Sequence, residues 1–173
     1  MNTEFTYFVN KDLKKDVGDI HQDTVKAFWS DGKWAMYELL TYLLSVTGPA
    51  KVYLSTFSIS EASIRAFNTG IEAKMITELH CLFDYTIKKN KVQLLYFANN
   101  IANNIKLAPN HSKVILIEND NWKLAVVGSA NMTPNPRKEA GVIITVHSLY
   151  DEYFTHLTNA IADGIDFTFD IQP

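Results

Sequence analysis

The sequence predicts an α/β fold in which helices cover both faces of a mixed sheet. Three observations carry that prediction. Apolar runs of strand length alternate with segments whose apolar residues recur every three or four positions. Gly, Pro, Asn and Asp punctuate the boundaries between them. Near the middle of the chain, two apolar runs are joined by the short polar stretch "NDN", which reads as a β-hairpin and makes the sheet mixed.

Taken in order, the first thirty residues are mixed in character, with one short strand expected at "FTYFV" and breaks at Gly18, Asp31 and Gly32. From Lys33, "KWAMYELLTYLLSV" places Trp34, Leu39, Leu40, Leu43 and Leu44 near one helical face, and Gly48-Pro49 stops it. "AKVYLSTF" follows as a strand. Ser58 or Ser60 then stands at the cap position of a helix through "SEASIRAFN", which ends near Asn68 and Gly70. The stretch "IEAKMITELHCLFDYTIKKN" reads as a longer helix, with Ile76, Leu79, Leu82 and Phe83 at helical spacing and Lys88 and Lys89 complementing its C-terminal end. "KVQLLYFA" is expected as a buried strand and "NNIANNIKL" as a short helix, with Pro109-Asn110 forming the loop that leads into His111. After the hairpin come a strand at "EAGVIITV" and an amphipathic helix through "SLYDEYFTHLTNAIADGI". No internal repeat or low-complexity tract is visible.

With 173 residues and 47% apolar composition, a single domain over 1–173 is expected, its motif-bearing core spanning about 34–165 after an irregular segment, 1–33. The net charge of −3 and a pI near 5.9 argue against gripping nucleic acid through overall positive charge, although a local basic cleft is invisible in such a sum. Arg65 and Arg137 are the only arginines, so a large set of bidentate guanine contacts, and with it sequence-specific readout, is not supported. A lone Cys81, the lack of an apolar stretch at the start and the absence of any run near the roughly 18 apolar residues that span a bilayer point to a cytoplasmic protein without stable membrane insertion.

The chemistry concentrates between residues 111 and 139. Side chains alternate along a strand, so His111 and Lys113 point the same way at the start of "HSKVILIE". Pairing "KVILIE" with "WKLAVV" brings "GSAN" beside them. Gly128 allows a close backbone approach, Ser129 and Asn131 supply neutral donors and Lys113 supplies a charge, a set suited to an anionic tetrahedral group. Lys113 also disfavours the imidazolium form of His111 by like-charge repulsion, as an attacking imidazole requires.

This arrangement resembles the phospholipase D superfamily motif: His, any residue, Lys, four residues, Asp, then a spacer and Gly-Ser-any-Asn. His111, Lys113, Gly128, Ser129 and Asn131 match it, while Glu118 stands where the family usually has a structural Asp. The resemblance implies a phospholipase D-like α/β/α sandwich and a metal-independent phosphodiesterase that needs no cofactor. One imidazole attacks phosphorus to form a phosphohistidine, and a second protonates the leaving oxygen. It further implies that Glu139 accepts a hydrogen bond from the histidine and sets its tautomer. Arg137 and Lys138 lie between Asn131 and Glu139 and are the first candidates for contact with a substrate backbone. His21, His80, His147 and His156 each lack a Lys two residues on and a later Gly-Ser-any-Asn. One motif therefore implies a homodimer that brings two copies of His111 together, and a nuclease acting on DNA or RNA.

Other readings remain open at this point. The hairpin is also compatible with a buried strand pair carrying incidental polar ends. A nucleic-acid-binding or interaction module could keep the fold without turnover, and a phospholipid-processing enzyme is a further alternative. His80 and Cys81 lack companion ligands and read as core residues rather than a metal site. Lys88, Lys89 and Lys91 suit either a phosphate backbone or a helix end.

Overall fold

The computed structural model describes residues 11–167, so the strand expected at "FTYFV" lies outside the described residues. The elements are α1 (Lys11–Val17), β1 (Val25–Ser30), α2 (Met36–Thr47), β2 (Ala50–Thr56), α3 (Glu61–Glu72), β3 (Ile76–Asp84), α4 (Thr86–Asn90), α5 (Val92–Ile101), β4 (Asn104–Ala108), β5 (Val114–Glu118), β6 (Lys123–Gly128), β7 (Glu139–Ile144), α6 (His147–Asp163) and β8 (Ile165–Asp166). They form an α/β fold around one eight-stranded mixed sheet, ordered β1-β7-β6-β5-β2-β3-β4-β8. β2, β3 and β4 are parallel neighbours and the remaining pairs are antiparallel.

The two faces of the sheet bury separate apolar clusters. On one, Val52, Leu54, Ile115, Ile117, Leu124 and Val126 pack with Leu39, Leu43, Leu44 and Phe67 of α2 and α3. On the other, Leu82, Leu116, Ala125 and Ile144 meet Tyr150, Leu157 and Ile161 of α6. Strand alternation explains the division, since Ile115 and Ile117 face one layer and Leu116 the other. At roughly 1.5–3 kcal/mol for each fully buried large apolar side chain, these layers dominate stability.

Local chemistry sets the helix ends. Glu38 accepts from the Ala35 amide at 2.7 Å, so α2 begins just after Trp34. Ser60, rather than Ser58, caps α3 by accepting from the Ser63 amide at 3.2 Å.

Three expected elements are corrected. The helix expected over 71–90 is instead the end of α3, strand β3 and the short α4. Lys74 adopts a positive φ of 57°, which stops the helix. β3 lies between β2 and β4, and only its second half, Cys81, Leu82, Phe83 and Asp84, is buried on both faces, so the strand has no clean period of two. "KVQLLYFA" belongs to helix α5 rather than a strand, and "NNIANNIKL" contains β4 rather than a helix. Parallel β3 and β4 need a crossover, and α4 with α5 provides it. Within β4 the inward residues are Ile105 and Leu107, two apart.

Among the described residues, no helix is long and apolar enough to cross a membrane. The loop before α2 is held against the loop that leads into β7 through Gly32, whose φ is +75°. A Cβ there would sit 2.5 Å from the Pro136 carbonyl oxygen. Gly32→Ala is therefore expected to cost about 1–3 kcal/mol. Urea denaturation checks this, and an unchanged midpoint would show that the two loops are not constrained by this approach.

Candidate active site

The candidate groups meet at one end of the sheet because of the β5–β6 hairpin. Val114 pairs with Val127 and Glu118 with Lys123, and the Gly128 amide donates to the Lys113 carbonyl at 3.2 Å. The segment after β6 therefore returns to the segment before β5. A Cβ on Gly128 would lie 2.9 Å from the Ala140 carbonyl, so glycine is what lets β6 and β7 close together here. The polar turn is stitched by Asn119, whose side-chain oxygen accepts from the Asn121 and Trp122 amides at 3.0 and 2.9 Å.

His111 and Lys113 immediately precede β5 rather than open it, and strand alternation alone does not bring them together. Lys113 folds back instead. Its Nζ lies 3.1 Å from His111 Nδ1 and donates to the His111 carbonyl at 2.5 Å. An ammonium can only donate, so as a hydrogen bond this contact makes Nδ1 the acceptor. Phe57 packs against the histidine ring at a centroid distance of 5.1 Å and lies 5.8 Å from the Lys113 ammonium. Lys113 is 8% exposed, and burial pushes its pKa below the ordinary lysine value against the opposing pull of Glu139.

Beneath the loop sits a polar network that the motif alone does not reveal. Asn110 is buried, and its amide nitrogen reaches Ser55 Oγ at 2.9 Å, the Leu82 carbonyl at 3.2 Å and the Thr56 carbonyl at 3.3 Å. Its side-chain oxygen accepts from the Ser112 amide and hydroxyl at 3.0 and 2.7 Å. One side chain thereby ties the ends of β2 and β3 to the residue between His111 and Lys113. Asp84, at the end of β3, accepts from the Asn110 amide at 2.9 Å and from the Thr86 amide and hydroxyl at 2.8 and 2.6 Å. Burial raises its pKa, but these donors outweigh that and, with His111 nearby, hold it below the usual carboxylate value. Lys91 anchors the neighbouring loop by donating to Ser58 Oγ at 2.8 Å and to the Ile59 carbonyl at 2.5 Å.

The other predicted residues fall into two groups. Ser129, Asn131 and Glu139 lie at the same sheet end. Thr56 donates to the Asn131 side-chain oxygen at 3.3 Å. Ser129 donates a short hydrogen bond to Glu139 Oε2, and Asn135 donates to Glu139 Oε1 at 2.6 Å. Glu139 thus meets Ser129 and Asn135, and no hydrogen bond joins it to His111 among the described residues, in contrast to the role the resemblance implies. Arg137 and Lys138 are exposed on the adjoining loop. Glu118 sits at the opposite end of β5, about 17 Å along the strand from Lys113. It lies opposite Lys51 on one neighbouring strand and Lys123 on the other, placing it away from the reacting groups.

The remaining side chains are accounted for locally. Cys81 is buried in β3, where desolvation pushes its thiol pKa up. His80 is only half-buried, meets Glu78 at 3.1 Å and stacks on Tyr53, so of this pair only Cys81 is a core residue. His147 and His156 are exposed on α6. No cluster of three His, Cys, Asp or Glu side chains suited to a metal occurs among the described residues.

No family model and no curated protein matches this sequence. Solved structures do match it. Nuc from Salmonella typhimurium, a phospholipase D family member, aligns with a TM-score of 0.62 and 17% identity over 84% of this chain and 99% of its own. NucT from Helicobacter pylori aligns with a TM-score of 0.63 and 17% identity over 83% of this chain and 100% of its own. TrmBL2, an archaeal chromatin protein with a described mode of DNA binding, aligns at 0.57 and 8% identity over 90% of this chain and 58% of its own. At these identities the likeness is one of architecture, and this chain has the phospholipase D fold.

Proposed function

We propose that the chain is a metal-independent phosphodiesterase, a nuclease that hydrolyses DNA or RNA through a phosphohistidine intermediate in a homodimer. The observation that carries this reading is the contact between Lys113 Nζ and His111 Nδ1, set at the sheet end that also bears Ser129, Asn131 and Glu139. A neutral imidazole beside a fixed ammonium and neutral donors suits attack on an anionic phosphodiester.

When a phosphodiester binds, Lys113 exchanges its Nδ1 contact for the nonbridging oxygens, with Ser129 and Asn131 as further donors. The ring proton then resides on Nδ1 and leaves the Nε2 lone pair free. Nε2 forms a bond to phosphorus as the bond to the leaving oxygen breaks, and the imidazolium of the second copy's His111 gives that oxygen its proton. Water next attacks phosphorus and passes a proton to the second imidazole while the N–P bond breaks. Both histidines return to their starting states. One ring must be neutral while the other is protonated, so their titrations belong to the pair. Arg137 and Lys138 are assigned to the flanking substrate backbone.

A binding module without turnover is the second reading, favoured by the same fold in the DNA-binding chromatin protein TrmBL2. Catalytic measurements separate the two. Hydrolysis is expected to survive excess EDTA, because the site supplies its own nucleophile and positive charge. Loss of activity in EDTA with rescue by Mg²⁺ would contradict the mechanism. His111→Ala is expected to lower kcat by several orders of magnitude with an unchanged circular dichroism spectrum, whereas Glu118→Asp, at the far end of β5, leaves kcat nearly unchanged. Equal losses in both variants would show that the catalytic groups lie elsewhere.

A further inference from the structure

Beyond the phosphate-binding groups, the same end of the sheet presents an aromatic surface. β1 is an edge strand, and its alternation turns Phe28 into the core and Trp29 outward, where the indole is 58% exposed. α6 packs chiefly over β3 to β6 on that face and reaches β7 at Ile144, and the edge strand β1 lies beyond it.

The register defines the surroundings of the indole. Trp29 pairs with Ala140 on β7. Ala140 in turn lies beside Ser129, which donates its amide to the Ala140 carbonyl at 3.0 Å and accepts from the Ala140 amide at 3.1 Å. Trp29 and Ala140 are paired across β1 and β7, and Ser129, the residue after β6, adjoins Ala140 with its hydroxyl turned to Glu139. At about 4.8 Å per strand, the Trp29 backbone stands about 10 Å from that of the serine assigned to the phosphate. The methyl of Ala140 leaves the floor between them low. Arg137 and Lys138 lie on the loop that leads into β7, whose Pro136 carbonyl abuts Gly32, three residues after Trp29. Lys138 and Arg137 are exposed, and no ion pair engages either among the described residues.

We propose that Trp29 is a stacking platform for an unpaired base of a single-stranded nucleic acid whose phosphate lies at His111. The proposal rests on the phosphodiesterase reading and specifies its substrate as single-stranded. An exposed indole on β1 and two exposed cations on the loop packed against the end of that strand suit a chain that alternates flat apolar bases with negative phosphates. A duplex has both faces of each base already stacked and offers the indole nothing comparable. A second copy of the chain on this surface would bring further cations to it, whereas a polyanion neutralises those present.

The test compares an oligothymidylate with an abasic deoxyribose-phosphate strand of equal length and charge. Binding is measured to the full chain carrying His111→Ala, so that neither strand is cut, with and without Trp29→Ala. The expected result is a preference for the base-bearing strand that falls about tenfold or more in Trp29→Ala and is largely kept in Trp29→Phe. An unchanged preference in Trp29→Ala, or no preference in the parent, overturns the proposal. So does dissociation of an assembly by Trp29→Ala, seen by sedimentation, with the preference unchanged, which would make this surface a seam between copies. Hydrolysis of a small aryl phosphodiester by the wild-type chain tests the phosphodiesterase reading separately. Its absence alongside a Trp29-dependent base preference would remove that reading and leave the stacking site standing.

Discussion

The antiparallel register of β5 against β6 decides where every candidate group lies. With Val114 opposite Val127, Lys113 falls opposite Gly128, and the two polar segments meet at one end of the sheet. A slip of one residue would turn Ile115 and Ile117 out of one apolar layer and Leu116 out of the other. The same burial that stabilises the fold therefore positions the chemistry. Asn110 completes the constraint from below, joining β2 and β3 to Ser112, so the loop carrying His111 is tied to the most buried strands of the sheet.

The electrostatics of the single chain are poised rather than complete. Lys113 holds Nδ1 of His111, while Glu139 is engaged by Ser129 and Asn135. Asp84, held below the usual carboxylate value, places a negative charge beside the loop that carries His111. In the proposed dimer, the two rings of the shared site occupy opposite charge states during turnover. Among the described residues, one chain carries a single histidine at this sheet end, 3.1 Å from the Lys113 ammonium. A bound phosphate would reverse that balance for the ring that acts as acid.

Much of this was legible in the sequence, and the parts that were not have physical causes. The hairpin was visible because apolar runs of strand length flank "NDN", and α6 because its apolar stripe is long. β3 reads as helix because its second half, buried on both faces, loses the alternation that marks a strand, and its apolar residues also fall three or four apart. That error displaced α5 and β4 as well. His111, Lys113, Ser129 and Asn131 were readable as candidates from the hairpin and from the resemblance to the phospholipase D motif. Asp84, Phe57 and Lys91 reach the site through tertiary contacts from segments distant in sequence, so no local pattern announces them. Asn110 was visible only as a loop residue, although its side chain makes the contacts that hold the loop.

The central claim is that two chains share one reaction centre through His111, and subunit mixing tests it most directly. Differently tagged wild-type and His111→Ala chains would be allowed to exchange, and the heterodimers isolated and assayed against a labelled oligonucleotide, with their assembly confirmed by sedimentation at the assay concentration. If each reaction needs a nucleophile from one chain and an acid from the other, heterodimers lose at least about a hundredfold in cleavage relative to the wild-type dimer. Half of the wild-type activity in the heterodimer, or full activity in a wild-type monomer, would contradict the shared site and place both catalytic groups within one chain.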